Sequence, residues 1–377
     1  MSNTEIPGAS PWFGESLDDI LGDVREILES GQLVNGKHIV DFEARTAAMA
    51  NTPYAAGVNS GGTALELALL ALGVEGKEVI VPTQTFIASA NAVTRAGGRP
   101  VFADVEKDTL CLDPADVERR IGPTTCGVMI VHMFGLVPPS VLEIKNLCAR
   151  HGLFLIEDAA HAHGASRDGL MAGGIGDAGC FSFFATKVVT TGEGGAVTTS
   201  QKELHDRVLS LRNHGRNAGS EEYGLPGNNF RLSEIQAALG WRQLALLERI
   251  LDHRNLLAKI YRDGLAGHSL IATLPEFPGG RHAYWRFPAY LADHVDRRGF
   301  QRGMWERHRI RITWMYEPLC HRQPVSRTGS GKSPPSLPVA EQCIDRLVCL
   351  PTHMAVSPDD AQRVVAAIKN ELGRTAN

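Results

Sequence analysis

The stretch Lys77–Val105, KEVIVPTQTFIASANAVTRAGGRPVFADV, decides the fold. Its opening, KEVIVP, is a short apolar run closed by proline, the form of a buried strand. FIASANAVTRAG then carries apolar residues at helical spacing and runs out into glycine. RPVFADV returns to a strand. Outward from this unit the alternation continues. GGTALELALLALG, a helix flanked by glycine, precedes it. DPADVERRI follows, with Asp113 as N-cap and proline at the first helical position. Next come the strand GVMIVH, the helix PSVLEIKNLCARHG and the strand LFLIED. Short apolar strands between longer helices predict a mainly parallel sheet covered on both faces, a three-layer α/β/α domain.

The flanks read differently. Leu17–Leu28 has helical spacing, GQLVNGK breaks it, and IVDFEARTAAMA is a second helix. After Ser200, KELHDRVLSLRNHG and the long LSEIQAALGWRQLALLERILDHRNLLAKIYRDGL are helical. From about Pro275 the order is mixed, with a helix near Arg297–His308 and a closing helix in PDDAQRVVAAIKNEL. The expected division is an N-terminal segment plus large domain in residues 1–245, and a smaller α+β domain in residues 246–377.

A chain of 377 residues with 43% apolar and 21% charged residues is ordinary for a globular protein of this size. A net charge of -4 gives no basic footprint for nucleic acid. No apolar run reaches membrane-spanning length, and the first residues lack the pattern of a secretory signal. The seven cysteines form no CxxC pair, so neither a disulfide framework nor a zinc site is expected, and no metal. These features together predict a reduced cytoplasmic enzyme.

Four polar signals fall at strand ends, where open α/β sheets bind ligands. Lys187 is the only charged residue between Ala178 and Gly192, in CFSFFATKVVTTGEGG. Its apolar strand-like lead-in includes Cys180, Phe181, Phe183 and Phe184. A desolvated lysine has a lowered pKa and can form a Schiff base. Ser60, Gly61, Gly62 and Thr63 stand at a helix start, which favours an anion, phosphate above all. Glu157 and Asp158 end a strand and are followed by His161 and His163. Phe86 lies just after a strand, where its ring could stack on a planar cofactor. Alone, each has a plain structural explanation: a snorkelling lysine, a glycine-rich cap, a capping carboxylate, a core aromatic. Together they are the parts that hold pyridoxal phosphate.

With these residues in view, the chain resembles the DegT/DnrJ/EryC1/StrS family of sugar aminotransferases, which have the aspartate aminotransferase fold (fold type I). The resemblance runs through SGQLVNGKHIVDFE, NSGGTALELAL, EVIVPTQTFIASANAV, GRPVFADVEKDTL, IEDAAHAHGA, FSFFATKVVTTGEGGAVTT, LRNHGR, GNNFRLSEIQAALG, YEPLCH and LVCLPTH. It implies that Lys187 is the Schiff-base lysine and Asp158 the partner of the pyridine nitrogen. Phe86 would stack on the ring, and Gly62, Thr63 and Ser182 would hold the phosphate. His161 stands where many members have glutamine, near the cofactor's phenolic oxygen. Asn229 matches an asparagine that reaches the phosphate of the neighbouring subunit, so a homodimer with shared sites is implied. Val188 replaces the asparagine that often follows the lysine. Related dehydratases carry histidine in place of the lysine, so Lys187 argues against their chemistry.

The resemblance implies a ping-pong transfer of an amino group from glutamate or glutamine to a keto-sugar, a nucleotide-linked one. Cyclitol aminotransferases and aminohydroxybenzoate synthases lie in the same family. Tyr316 and His321 are candidate substrate contacts. The segment TGSGKS, Thr328–Ser333, looks like part of a nucleotide-binding P-loop, which would make a different class of protein. It has Ser326 where that loop needs glycine, and PPSLP follows it, a run read as unable to start a helix.

Overall fold

Residues 5–327 and 335–375 are described in a computed structural model, so the TGSGKS segment lies outside the described residues. Two helices lead in, α1 (Leu17–Ser30) and α2 (Lys37–Ala50). The alternation follows: β1 (Tyr54–Val58), α3 (Gly61–Leu72), β2 (Glu78–Pro82), α4 (Ile87–Arg95) and β3 (Arg99–Ala103). It continues through α5 (Pro114–Arg120), β4 (Thr125–Val131), α6 (Val141–His151) and β5 (Phe154–Asp158). A short hairpin, β6 (Ser166–Arg167) and β7 (Leu170–Met171), precedes β8 (Ala178–Ser182) and β9 (Gly195–Thr199). Local chemistry sets the expected boundaries. Asp113 caps α5, its side chain accepting from the Ala115 amide at 2.9 Å. Gly73 closes α3 at φ +74°, a conformation glycine adopts without strain.

The central sheet has the order β1-β9-β8-β5-β4-β2-β3. Strands β3, β2, β4, β5 and β8 pair in parallel, whereas β9 is antiparallel to both β8 and β1. The reason is the connection. Parallel neighbours need a crossover, and residues 183–194 between β8 and β9 contain no helix to make one. The chain folds straight back, and Lys187 sits in the returning loop. Neither β1 nor β9 was expected from the sequence, because YAAGV and GAVTT are rich in alanine, glycine and threonine. Phe184 also departs from expectation: β8 ends at Ser182, and the Phe184 ring is exposed.

Downstream, α7 (Lys202–Arg212) packs on the sheet, followed by α8 (Glu234–Ala245) and α9 (Leu247–Leu265). The long helical stretch is therefore two helices, broken where Leu246 takes φ −97° and ψ 3°. Ser233 and Gln236 form a capping box at the start of α8. Next come β10 (Ile271–Thr273), β11 (Gly280–Arg281), β12 (Phe287–Leu291), α10 (Arg297–His308) and α11 (Pro324–Arg327). The chain closes with α12 (Pro338–Arg346), β13 (Leu347–Leu350) and α13 (Pro358–Thr375). Strands β10, β12 and β13 form a second, antiparallel sheet. Tyr261, Phe300, Met304, Val364 and Ile368 build its core, with Ile6 brought in from the N-terminal segment.

PPSLP corrects its sequence reading, because its last proline, Pro338, is the first residue of α12. Proline is tolerated there, where no helical carbonyl awaits its missing N–H. Asp104, just after β3, caps the same helix by accepting from the amides of Val339 at 3.0 Å and Ala340 at 2.8 Å. All seven cysteines are free, as expected from their spacing. Among the described residues no helix is long and apolar enough to cross a membrane.

Candidate active site

The anion cradle forms where β1 hands over to α3. Ser60 is extended and caps the helix, its Oγ accepting from the Thr63 amide at 3.1 Å. Thr63 Oγ1 in turn donates to Asn59 Oδ1 at 2.7 Å. The amides of Gly61 and Gly62 belong to the first turn, where no helical carbonyl can reach them. A Cβ on Gly61 would lie 2.5 Å from Ser182 Cβ. Only glycine lets the helix start and the end of β8 come this close, and the contact sets Ser182 beside the cradle. A Cβ on Gly62 would meet only Ala88 Cβ and Ser60 Oγ, each at 3.9 Å, so the space in front of it is open.

Asp158 ends β5 near the middle of the sheet and is 6% exposed. Ser89 Oγ donates to Asp158 Oδ2 at 2.7 Å, and the Ala160 amide to Oδ1 at 3.1 Å. Ser89 Oγ and Thr85 Oγ1 lie 2.9 Å apart, one turn of chain from each other. These two hydroxyls escaped the sequence reading, although their four-residue spacing at the head of α4 is visible in TFIAS. Among the described residues Asp158 has no ion-pair partner within 4.0 Å. Glu157 takes the other face of the strand. It lies 2.7 Å from His132 Nε2 and accepts from the amides of Gly173, Ile175 and Gly176. The two adjacent carboxylates thus divide into one that organises a loop and one that faces the site.

Lys187 is partly buried in the turn after β8. Burial pushes its pKa down from 10.5 to about 8, with Asp158 opposing the fall and Arg286 adding to it. Its Nζ lies 4.5 Å from the centroid of the Trp285 ring. Trp285 comes from the segment leading into β12, and its Nε1 donates to the Thr186 carbonyl at 2.7 Å. The indole therefore pins the lysine turn from the second sheet's side. His161 stacks on the same ring, centroids 3.9 Å apart and planes 11° from parallel. Burial, then Lys187 and Arg286, push the His161 pKa well below its ordinary value, so the imidazole is neutral. Its Nε2 lies 2.9 Å from the Tyr316 hydroxyl, and its Nδ1 is buried without a partner. Trp285 and Arg286 were not singled out from the sequence, and nothing in AYWRFP marks them.

Phe86, the N-cap residue of α4, is 57% exposed, and its ring lies 6.1 Å from the Tyr316 ring. Core packing does not explain an exposed ring there, whereas a flat ligand does. Tyr316 is thereby brought to the group formed by Phe86, His161 and Trp285. His321 differs. It is buried, with Nδ1 at 2.5 Å from Thr83 Oγ1 and Nε2 at 3.1 Å from Glu341 Oε1. Both ring nitrogens are engaged, so His321 fastens α12 to the loop after β2. His163 is fully buried against Phe181 and Phe183. Asn229 is exposed. Its neighbour Phe230 accepts from the Asn59 amide at 2.9 Å, which ties this segment to the cradle's edge.

Known proteins resemble this chain along nearly its whole length. The sequence profile of the DegT/DnrJ/EryC1/StrS aminotransferase family matches residues 16–369. The GDP-perosamine synthase of Caulobacter vibrioides is 36% identical over 343 residues, 89% of this chain and 91% of that protein. The dTDP-3-amino-3,4,6-trideoxy-alpha-D-glucose transaminase of Streptomyces venezuelae is 37% identical over 357 residues, 92% of this chain and 90% of that one. Among solved structures, DesV of S. venezuelae superposes with a TM-score of 0.89 at 34% identity, over 97% of this chain and 98% of that one. Helicobacter pylori PseC, an aminotransferase, gives 0.91 at 25% identity, over 98% and 100%. With the profile spanning nearly the whole chain and relatives this similar, the protein belongs to the DegT/DnrJ/EryC1/StrS aminotransferase family.

Proposed function

We propose that this enzyme transfers an amino group from glutamate or glutamine to the keto carbon of a nucleotide-linked sugar, using pyridoxal phosphate. The observation that carries the reading is Asp158, a carboxylate 6% exposed and held by Ser89, with no cation paired to it among the described residues. A buried carboxylate with only two hydrogen bonds is costly unless a positive partner meets it. A protonated pyridine nitrogen is such a partner. The rest of the site fits the same group. The open start of α3, with Gly62, Thr63 and Ser182, suits its phosphate, and the exposed Phe86 ring suits its flat face. The buried, unpartnered Nδ1 of neutral His161 leaves room for one more polar contact. Lys187 is the amine that would anchor it.

The chemistry that pyridoxal phosphate supplies when bound is an electron sink for the carbanion formed beside the amine, and a carrier for the amino group between half-reactions. The chain's own residues do the remainder. Asp158 holds a proton on the ring nitrogen. Lys187, as a neutral amine, takes the proton from the donor's α-carbon, and in the second half-reaction returns one to the sugar carbon. A pKa near 8 leaves a useful fraction of that amine uncharged near neutral pH. Trp285 and Thr186 keep the lysine turn in place while this happens.

The relatives support the acceptor class. One is named as a GDP-perosamine synthase, others as a dTDP-amino-sugar transaminase and a UDP-N-acetyl-3-dehydro-glucosamine 3-aminotransferase. The same reading makes the active form a homodimer, with Asn229 working across the interface. Leu17, Leu21, Leu28, Leu33, Val34 and Val40 of α1, α2 and their connection are all exposed, an apolar face of the kind a second copy covers. Borohydride reduction of the purified holoenzyme, followed by peptide mapping, should place the phosphopyridoxyl mass on Lys187. Incubation with glutamate and a panel of nucleotide-linked keto-sugars, read by mass spectrometry, should then show one aminated product. The mass on another lysine, or no amination of any keto-sugar, refutes the reading.

A further inference from the structure

Arg286 stands directly before β12 and is 5% exposed. Its Cζ lies 4.8 Å from the centroid of the Trp285 ring. Lys187 Nζ lies 4.5 Å from the same centroid, so the two cations share one indole. The guanidinium is poorly satisfied. Its Nε is buried with no partner, and Nη1 reaches only the adjacent Trp285 carbonyl, at 3.4 Å. Among the described residues it makes no ion pair within 4.0 Å.

The other buried arginines are better held, although Arg254 Nε and Arg167 Nη2 are also without a partner. Arg254 Nη1 donates to the carbonyls of Tyr284 and Thr352, Arg167 donates to those of Val137 and Pro278, and Arg297 pairs with Glu317. Around Arg286 the neighbouring charges are of its own sign. Lys187 and Arg254 both feel its field. The acidic groups near it are neutral at physiological pH. Burial pushes the Cys349 thiol up to about 12 and the Tyr316 hydroxyl well above its ordinary value. A buried guanidinium with a planar fork and no counter-ion is costly, and a carboxylate is the group whose geometry matches the fork.

We infer that Arg286 receives the α-carboxylate of the amino donor. The inference rests on the aminotransferase reading above and goes beyond it by naming the residue that selects an α-amino acid. The placement picks this carboxylate over other anions. Lys187 works on the donor's α-carbon, and the α-carboxylate is bonded to that carbon, so one group must lie near both side chains. The phosphate cradle at α3 and Ser182 is a separate place in the fold. A sugar nucleotide's diphosphate is several bonds from the keto carbon and would not reach a side chain buried beside Lys187. Two charge-assisted hydrogen bonds from one guanidinium correspond to a change on the order of 100-fold in affinity.

The test uses the holoenzyme. L-glutamate is titrated without sugar, and the change in cofactor absorbance reports the first half-reaction. Arg286→Gln should raise the half-saturating glutamate concentration on the order of 100-fold. The KM for the keto-sugar should stay close to wild type. Wild type should strongly prefer L-glutamate over 4-aminobutyrate, which lacks the α-carboxylate, and Arg286→Gln should narrow that preference. If Arg286→Gln does not fold, Arg286→Lys carries the same test, since lysine keeps the charge and loses the fork. Its expected rise is on the order of 10-fold. Unchanged glutamate saturation in a folded variant overturns the inference alone. A defect confined to the keto-sugar KM also overturns it, and assigns Arg286 to an acidic acceptor instead. A wild-type holoenzyme inert to every amino acid overturns this inference and the aminotransferase reading together.

Discussion

Replacing Lys187 with methionine should stabilise the cofactor-free protein while abolishing transamination. Methionine keeps the length of the side chain and removes the ammonium. The magnitude follows from the pKa. Folding lowers it from 10.5 to about 8, and each unit is worth about 1.4 kcal/mol, so holding the protonated lysine in the fold costs roughly 3 kcal/mol. The sign is that of a depressed lysine: the unfolded chain binds the proton more strongly. The penalty is fully present below about pH 8 and fades as the pH rises toward 10.5. Urea denaturation of both apoproteins should therefore show Lys187→Met more stable by about 3 kcal/mol near neutral pH, and by only about 1 kcal/mol near pH 10. Other titrating groups are common to both proteins and cancel in the difference. A variant no more stable than wild type near neutral pH, or an advantage independent of pH, would refute the claim that Lys187 is desolvated in the fold.

Asp158→Asn should stay folded by circular dichroism yet lose turnover on the order of 1,000-fold, since an amide cannot hold a proton on the ring nitrogen. Near wild-type turnover would reduce Asp158 to a capping residue. Phe86→Ala should weaken cofactor binding by roughly 1 kcal/mol, about 5-fold, in a titration of the apoprotein. An unchanged dissociation constant would show that the exposed ring does not stack. Mixed subunits of Lys187→Ala and Asn229→Ala should recover about half of wild-type activity per heterodimer. One site then carries both defects and its partner neither. No recovery despite proven subunit exchange would show that Asn229 acts within its own chain.

The sequence was most legible where residues speak through their neighbours in the chain. Lys187 stood out because no other charge lies near it, and Asp158 because it ends an apolar strand. Gly62 and Thr63 stood out because they open a helix. What stayed hidden depends on contacts between distant segments. Trp285 is 98 positions from Lys187, yet its indole holds the lysine turn through Thr186. Its local sequence is that of any strand entrance. His321 looked available because a histidine beside YEPLC has no local reason to be engaged. Its partners, Thr83 and Glu341, come from a loop and a helix that only the fold brings together. Strand β9 was missed for another reason: threonine and glycine carry little apolar pattern, and its burial comes from its place between β1 and β8.

The hydrogen bond from Trp285 to the Thr186 carbonyl crosses from the segment that enters the second sheet to the turn that carries the reactive amine. The Trp285 backbone is fixed on the first sheet's side as well: its amide donates to the Phe134 carbonyl, and the Ala283 amide to the Gly135 carbonyl, both at 2.9 Å. The turn after β4 therefore bears on the reactive amine at second hand, by way of Trp285 and Thr186. A change that shifts Phe134 or Gly135 should disturb Lys187 without touching it.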